Sequence, residues 1–286
     1  MVSIGMPVYN GEQFIREAVD SLLSQTMPDF ELLISDNAST DGTRAICEDY
    51  ARRDPRVRYI RQAKNLGAVA NWNFVAEKAT GTYFKWASAN DYCAKEMLSH
   101  CVQALEADPS LVLAYGKTMI IDDAGAQQGE YLHDPEILHL RPSQRFIRTR
   151  NDLAMNNAQS GLIRLSALRK TRGDRSYPGG DMVLMAELAL LGGIRRLPVC
   201  LLYRRMDRLS TARLLSDSEL QHFLRPQRKP IRLPTWRKQA DYAWSVLRSP
   251  IAVSEKLKAL AAVLRWSVMV RQALIAEVYA TVRRTS

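Results

Sequence analysis

From its second residue the chain alternates short apolar runs with longer amphipathic ones. Val2–Met6 reads as a buried strand stopped by Pro7, and Phe14, Ala18, Leu22 and Leu23 then recur at helical spacing. Phe30–Ser35 is a second strand, closed by the turn-forming run Asp36-Asn37-Ala38-Ser39-Thr40-Asp41-Gly42. A helix from Thr43 to about Arg52 carries Ile46 and Tyr50 on one face, and Asp54-Pro55 ends it before a third strand at Val57–Arg61. Asn65-Leu66-Gly67 turns into a helix over 68–79 capped by Gly81, and Tyr83–Ala87 is a fourth strand. A helix over Lys95–Ala107 and a fifth strand at Leu111–Tyr115 follow.

This alternation defines βαβ units, hence an α/β fold with a mostly parallel sheet flanked by helices. Ligands of such sheets bind at the carboxyl ends of the strands, which singles out the loops at 7–12, 36–42, 62–67 and 88–92. Between 116 and 180 the periodicity fades. Nine basic residues between Arg141 and Arg175 face only Asp152 and Asp174, which suits either the wall of an anion-binding cleft or a solvated loop region. Asp181 then opens an apolar helix over Met182–Leu191, and strands are expected at Ile194–Leu197 and Val199–Arg204. Past the basic, proline-punctuated linker at 225–230, two helices are expected at 235–248 and 254–283.

Composition narrows the function classes. A 47% hydrophobic share with 24% charged residues excludes whole-chain disorder. Cys47, Cys93, Cys101 and Cys200 form no C-x-x-C pair and are too sparse for a disulfide scaffold, so a reduced, cytoplasmic chain is expected. With so few Cys and His, no structural zinc site can be assembled. The opening Met1–Pro7 lacks a basic region before its apolar run, unlike a signal peptide. The net charge of +10 lies wholly in residues 225–286, which hold 13 Lys/Arg against 3 Asp/Glu; residues 1–224 balance at 27 each. A neutral body with a basic tail points to an anionic surface rather than a basic active site.

The first turn, Pro7-Val8-Tyr9-Asn10-Gly11-Glu12, has one glycine, so it is neither a dinucleotide fingerprint nor a Walker A loop. A bound nucleotide diphosphate would need another counter-charge, such as a divalent cation held by a carboxylate.

In order along the chain, Pro7-Val8-Tyr9-Asn10, Gln25-Thr26, Phe30–Thr43, Asn65-Leu66-Gly67 and Asn90-Asp91 resemble the family 2 glycosyltransferases over about residues 2–210. The resemblance implies a GT-A fold, with a domain at 1–224 and a basic linker plus helices at 225–286. It implies an inverting transfer of sugar from a nucleotide-sugar donor, UDP- or dTDP-linked, to a glycan or lipid-linked acceptor in cell-surface polysaccharide or glycolipid synthesis. A degenerate fold that binds nucleotide sugar without turnover is the competing reading.

The donor-binding set is Pro7, Tyr9, Asn10, Asp36, Asn37, Asn65, Gly67, Asn90, Asp91 and Arg204. Asp36 can accept a hydrogen bond from the N3–H of uracil or thymine, or merely start the Asx turn before Asp41-Gly42. Tyr9 can stack on the base or belong to the core. Asn65 and Gly67 permit close approach of a nucleotide, or serve as a turn and helix cap. Where the family reads Asp-x-Asp-Asp, this chain reads Ser88-Ala89-Asn90-Asp91, leaving Asp91 as the one carboxylate for Mg2+ or Mn2+. Asp181 stands where the family places its catalytic base, preceded by Gly180 instead of a glutamate; the competing reading makes it only the N-cap of the helix over Met182–Leu191. Arg204 can reach the diphosphate. Met206 occupies the position of a histidine often present in the family, and a thioether is a poor ligand for a hard cation. His100, His133, His139 and His222 take no role.

No uncharged run in the last helix exceeds six residues, too few to span a bilayer. Lys258, Arg265 and Arg283 share one side, Leu257, Leu260, Leu264, Val268 and Ile275 another, with Trp266 at the boundary. Such a helix can lie in the headgroups on the inner face of the plasma membrane or pack on protein. Nucleic acid is not an expected partner.

Overall fold

A computed structural model describes residues 1–138, 141–206, 217–226 and 232–282. Its first half follows the expected alternation: β1 (Val2–Val8), α1 (Ile15–Leu23), β2 (Phe30–Asp36), α2 (Thr43–Arg53), β3 (Val57–Arg61), α3 (Ala68–Glu77) and β4 (Tyr83–Trp86). β5 (Tyr92–Cys93) and α4 (Met97–Ala107) come next. The weakly patterned stretch holds β6 (Leu111–Ile121), β7 (Gln127–Tyr131), α5 (Pro142–Asp152), a 3₁₀ turn at Asn157–Ser160, β8 (Leu162–Arg164) and α6 (Leu165–Leu168). The remainder is α7 (Gly180–Leu191), β9 (Gly193–Arg205), α8 (Asp217–Leu224), α9 (Pro234–Arg248), α10 (Val253–Met269) and α11 (Arg271–Val282).

The strands form one sheet in the order β3-β2-β1-β4-β8-β6-β9-β5, with β7 beside β6. β3, β2, β1 and β4 are mutually parallel, as are the long pair β6 and β9; the antiparallel pairings involve the shorter β5, β7 and β8. β1 is buried throughout, as a central strand covered on both faces must be. Pro7 does not stop it, pairing opposite Ser35 before the strand ends at Val8 opposite Asp36.

Two other boundaries depart from expectation. The sequence predicts a break at Pro198 between two strands, yet β9 is continuous. The β6–β9 register slips between Tyr115 and Lys117, and Pro198 sits in the resulting bulge, where no ladder hydrogen bond is asked of it. The helix expected over 254–283 is two helices bent by 65° around Val270. Arg283 and His139, and the side chain of His222, lie outside the described residues.

One core layer packs α1, α2 and α4 on the sheet; a second, built around Phe84, Trp86, Leu113, Leu184 and Leu188, covers the opposite face. A third joins α5 and α7 to α9 and α10 through Phe146, Val183, Ala186, Tyr242, Val246, Ala259 and Trp266. The C-terminal helices therefore share a core with the sheet domain.

Candidate active site

The carboxyl ends of β1, β2, β3 and β4 lie along one edge, and the loops following the first three interlock. Asn10, in left-handed conformation (φ 52°), receives a hydrogen bond from Thr40 N on its Oδ1 at 2.8 Å, while its own N–H bonds Ser39 Oγ at 2.9 Å. Asn37 donates to Asn65 Oδ1 at 2.9 Å and accepts from Leu66 N at 2.8 Å. Both asparagines thus hold loops in place. Pro7 is buried inside β1 and supports the site from beneath. Tyr9 is 49% exposed at the strand end, which removes the core reading and leaves its ring as an open surface.

Asp36 is fully buried. Its Oδ1 accepts from Ser39 N at 2.8 Å, and its Oδ2 from Tyr59 Oη and Arg61 Nη1, each at 2.7 Å. Burial opposes the charge, yet the bonds from Ser39 and Tyr59 and the Arg61 guanidinium hold the carboxyl below its ordinary range. The Ser39 bond is the Asx-type turn the sequence offered as an alternative. Contact with a base requires Arg61 to swing aside.

Gly67 (φ 87°) opens α3, and a Cβ there would run into the Leu224 carbonyl and Pro226. The close approach expected of a nucleotide at this glycine is made instead by the chain's own returning backbone. Asn65 Oδ1 also accepts from Gly67 N at 2.8 Å, closing the turn.

At the other end of the edge, Asp91 is partly buried. Its Oδ1 accepts from Arg205 N at 2.9 Å. Burial pushes its carboxyl above the usual carboxylate range, against the pull of Arg205, Arg204 and Lys85. Among the described residues no group of three or more His, Cys, Asp or Glu could hold a metal ion. Met206 and the single acid of Ser88–Asp91 agree with that. With three cations already around Asp91, the donor set fits a divalent ion only when diphosphate oxygens complete its shell.

Arg205, not singled out in the sequence, is 1% exposed. Its guanidinium bonds Asn90 O at 3.1 Å, Asp122 O at 2.6 Å, Asp123 O at 2.9 Å and the Glu17 carboxylate, and lies 4.3 Å over the Phe14 ring. It ties the Asn90-Asp91 loop to α1 and to the β6–β7 turn. Only its place beside Tyr203-Arg204 marks it in the sequence.

Arg204 Nη1 donates to the Met155 carbonyl at 2.8 Å and to Asn157 Oδ1 at 2.5 Å. The next residue in that turn, Asn156, donates its amide to Asp181 Oδ2 at 2.8 Å and to Gln159 Oε1 at 3.0 Å. A short path of contacts therefore joins Asp91 to Asp181 through β9 and the 155–159 turn. Asp181 lies in the first turn of α7 but makes no side-chain cap, so the capping alternative is not realised. Gly180 has a local reason: a Cβ there would collide with the Arg175 carbonyl, leaving no room for the family's glutamate. Buried Asn156 Oδ1 and Gln159 Nε2, one acceptor and one donor, have no hydrogen-bond partner among the described residues. A hydroxyl, which both donates and accepts, matches that pair.

The arginines of 141–175 mostly serve structure. Arg145 bonds the Ala189 carbonyl at the end of α7, Arg164 the Leu111 carbonyl, and Arg172 and Arg175 pair with Glu187 and Asp241. The expected anion-binding wall does not extend to these.

With this geometry in view, the sequence pattern of glycosyl transferase family 2 matches residues 3–172, more than half of the chain. The chain belongs to glycosyl transferase family 2. It is 40% identical over 106 residues to an uncharacterized glycosyltransferase, EpsJ, of Bacillus subtilis, covering 37% of this chain and 30% of the relative. Over 138 residues it is 30% identical to a putative teichuronic acid biosynthesis glycosyltransferase, TuaG, of the same organism, covering 48% and 54%. The chain thus matches only part of the length of these relatives. Among solved structures it is similar to TarS 1–349 of S. aureus in complex with UDP, with TM-score 0.67 and 18% identity over 93% of this chain and 71% of that one. It is also similar to the mannosyltransferase PcManGT of Pyrobaculum calidifontis in complex with GDP-Man and Mn2+, with TM-score 0.55 and 18% identity over 98% and 79%. The fold is of the GT-A type.

Proposed function

We propose that the chain is an inverting transferase that moves a sugar from a UDP- or dTDP-sugar to a hydroxyl of a glycan or lipid-linked acceptor, in assembly of a cell-surface polysaccharide or glycolipid. The observation carrying this reading is the path from Asp91 through Arg204 and the 155–159 turn to Asp181. Asp181 takes the proton of the acceptor hydroxyl as that oxygen attacks the anomeric carbon. The bond from anomeric carbon to diphosphate oxygen breaks on the opposite face, and the nucleoside diphosphate leaves with the electron pair. Asn156 orients the base. Tyr9 supplies a face for the pyrimidine, whose N3–H meets Asp36 once Arg61 moves off. Arg204 leaves one edge of its guanidinium for the diphosphate. A Mg2+ or Mn2+ between Asp91 and the diphosphate would neutralise charge on the leaving group.

The test is release of nucleoside diphosphate from UDP-, dTDP- and GDP-sugars with Mn2+, comparing wild type with Asp181→Asn. Release by wild type from a pyrimidine donor, reduced at least about 100-fold in the variant, supports the reading. Equal background release by both, with donor still bound, favours a binding module without turnover.

We further propose that the chain works in the cytoplasm, docked on the inner face of the plasma membrane by its C-terminal helices. No single described helix is long and apolar enough to cross a membrane. Leu257, Leu264, Val268 and Ile275 face outward, with Leu264 68% exposed, alongside Met269 and Tyr279. Trp266, expected at the membrane boundary, instead packs in the core against Phe146 and Tyr242. Apolar side chains among Lys256, Lys258, Arg265 and Arg271 suit an anionic lipid surface. Flotation of the full chain with phosphatidylglycerol vesicles, lost in Leu264→Glu/Val268→Glu, is the supporting result; equal flotation of both removes the docking.

A further inference from the structure

A lysine borders the turn that leads into the candidate base, and an arginine lies close to that lysine. The Lys238 ammonium, on α9, stands 3.6 Å from where a Cβ on Gly179 would be, two residues before Asp181. Arg150, in the last turn of α5, lies with its guanidinium 5.0 Å over the Trp266 ring. Trp266 in turn packs on Tyr242, one helical turn beyond Lys238. Unlike Arg145, Arg164, Arg172 and Arg175, neither cation forms a hydrogen bond or an ion pair with another described residue.

Burial depresses the Lys238 ammonium, the neighbouring Arg150 depresses it further, and Asp181 and Glu277 only partly offset both. Glu277 is engaged elsewhere, accepting from Thr235 N at 2.9 Å and from Trp236 N at 3.5 Å. Two partly desolvated like charges that the neighbouring carboxylates only partly offset are costly, and a bound anion relieves that cost.

We propose that Lys238 and Arg150 form an anion subsite for the acceptor. It would hold the carboxylate of an acidic sugar or a phosphate on the acceptor, so that a nearby hydroxyl meets Asp181. The inference rests on the reading of Asp181 as the base, and adds that the acceptor is anionic. The subsite draws on α9, so the C-terminal helices take part in choosing the acceptor.

The test measures binding to the full chain by calorimetric titration without donor, so it does not depend on turnover. The probes are 4-nitrophenyl glucuronide against 4-nitrophenyl glucoside, and glucose 6-phosphate against glucose. At least one charged probe is expected to bind about tenfold tighter than its neutral partner, within the range of a charge-assisted contact. Preference in the first pair identifies a carboxylate, and in the second a phosphate. Lys238→Met and Arg150→Met should each bring the ratio close to one, while Lys238→Arg retains it. Asp181→Asn should also retain it while abolishing transfer. Equal binding of charged and neutral probes, or a preference that survives Lys238→Met, overturns the proposal. So does a Lys238→Met effect confined to UDP affinity, which would assign the cations to the donor. Failure of wild type to transfer sugar would sink the transferase reading separately and leave this binding result intact.

Discussion

Asn156 holds Asp181: its side-chain amide donates to the carboxylate at 2.8 Å from a left-handed backbone at φ 55°. Asparagine is one of the few non-glycine residues that tolerates that conformation, so a single side chain both fits the turn and aims the candidate base. Asn156→Gly keeps the backbone and removes the amide. It should lower kcat by about 10- to 100-fold with little change in donor KM, because misplacing a reacting group weakens the transition state rather than donor binding. Steady-state kinetics at saturating acceptor check this; an unchanged kcat would show that Asp181 needs no such support.

Arg205→Met should be among the most damaging single changes. It strands the Asn90, Asp122 and Asp123 carbonyls and the Glu17 carboxylate. Glu17 is half exposed and can hydrate, so the loss comes from the buried carbonyls left unpaired, at about 1–3 kcal/mol for each that stays dry. Chemical denaturation should show a fall of that order, well beyond that for Arg204→Met. Arg205→Lys should recover only part, since an ammonium cannot span three carbonyls and a carboxylate.

Burial, with the nearby charge of Asp181, pushes the Asp174 carboxyl up to about 7. The native state therefore keeps a proton that the unfolded chain releases near pH 4. Stability should fall as pH rises between about 4 and 7, by up to about 1.4 kcal/mol per pH unit, and level off above. Asp174→Asn should flatten that dependence and melt higher than wild type at pH 8. A pH-independent difference between the two would contradict the assignment.

Restoring the family's acidic pair by Gly180→Glu should destabilise rather than activate. The new Cβ meets the backbone carbonyl of Arg175, which cannot yield as a flexible side chain would. A loss of about 1–3 kcal/mol or more is expected from such overpacking, read as a lower midpoint in urea with no gain in kcat.

The first half of the fold was legible because β1, β2 and β4 are short, mostly apolar runs and the loops between elements carry turn-forming residues. The second half was not. α5 buries only Ser143, Phe146 and Thr149, so its apolar stripe is one aromatic between two hydroxyls, and its arginines mask the period. Pro198 hid the continuity of β9 because a bulge cannot be foreseen from one strand alone. In the site, a chain of hydrogen bonds runs from Asp91 by way of β9 and Arg204 to the turn that holds Asp181. Arg205 and Asn156 escaped notice because their roles depend on neighbours far away in sequence. Gly67 has the expected conformation for an unexpected reason, since what crowds it is Leu224 and Pro226.

Leu224 and Pro226 lie over Gly67, while Lys238 lies beside Gly179. The polypeptide beyond the sheet thus touches the cleft twice, once near each extremity, before α10 turns its outer side away from the core. A shortened enzyme ending after β9 would lose both borders together and would not report the properties of the whole. Conversely, whatever α10 settles against is mechanically linked, through the core it shares with α7 and α9, to the helices that carry Asp181 and Lys238.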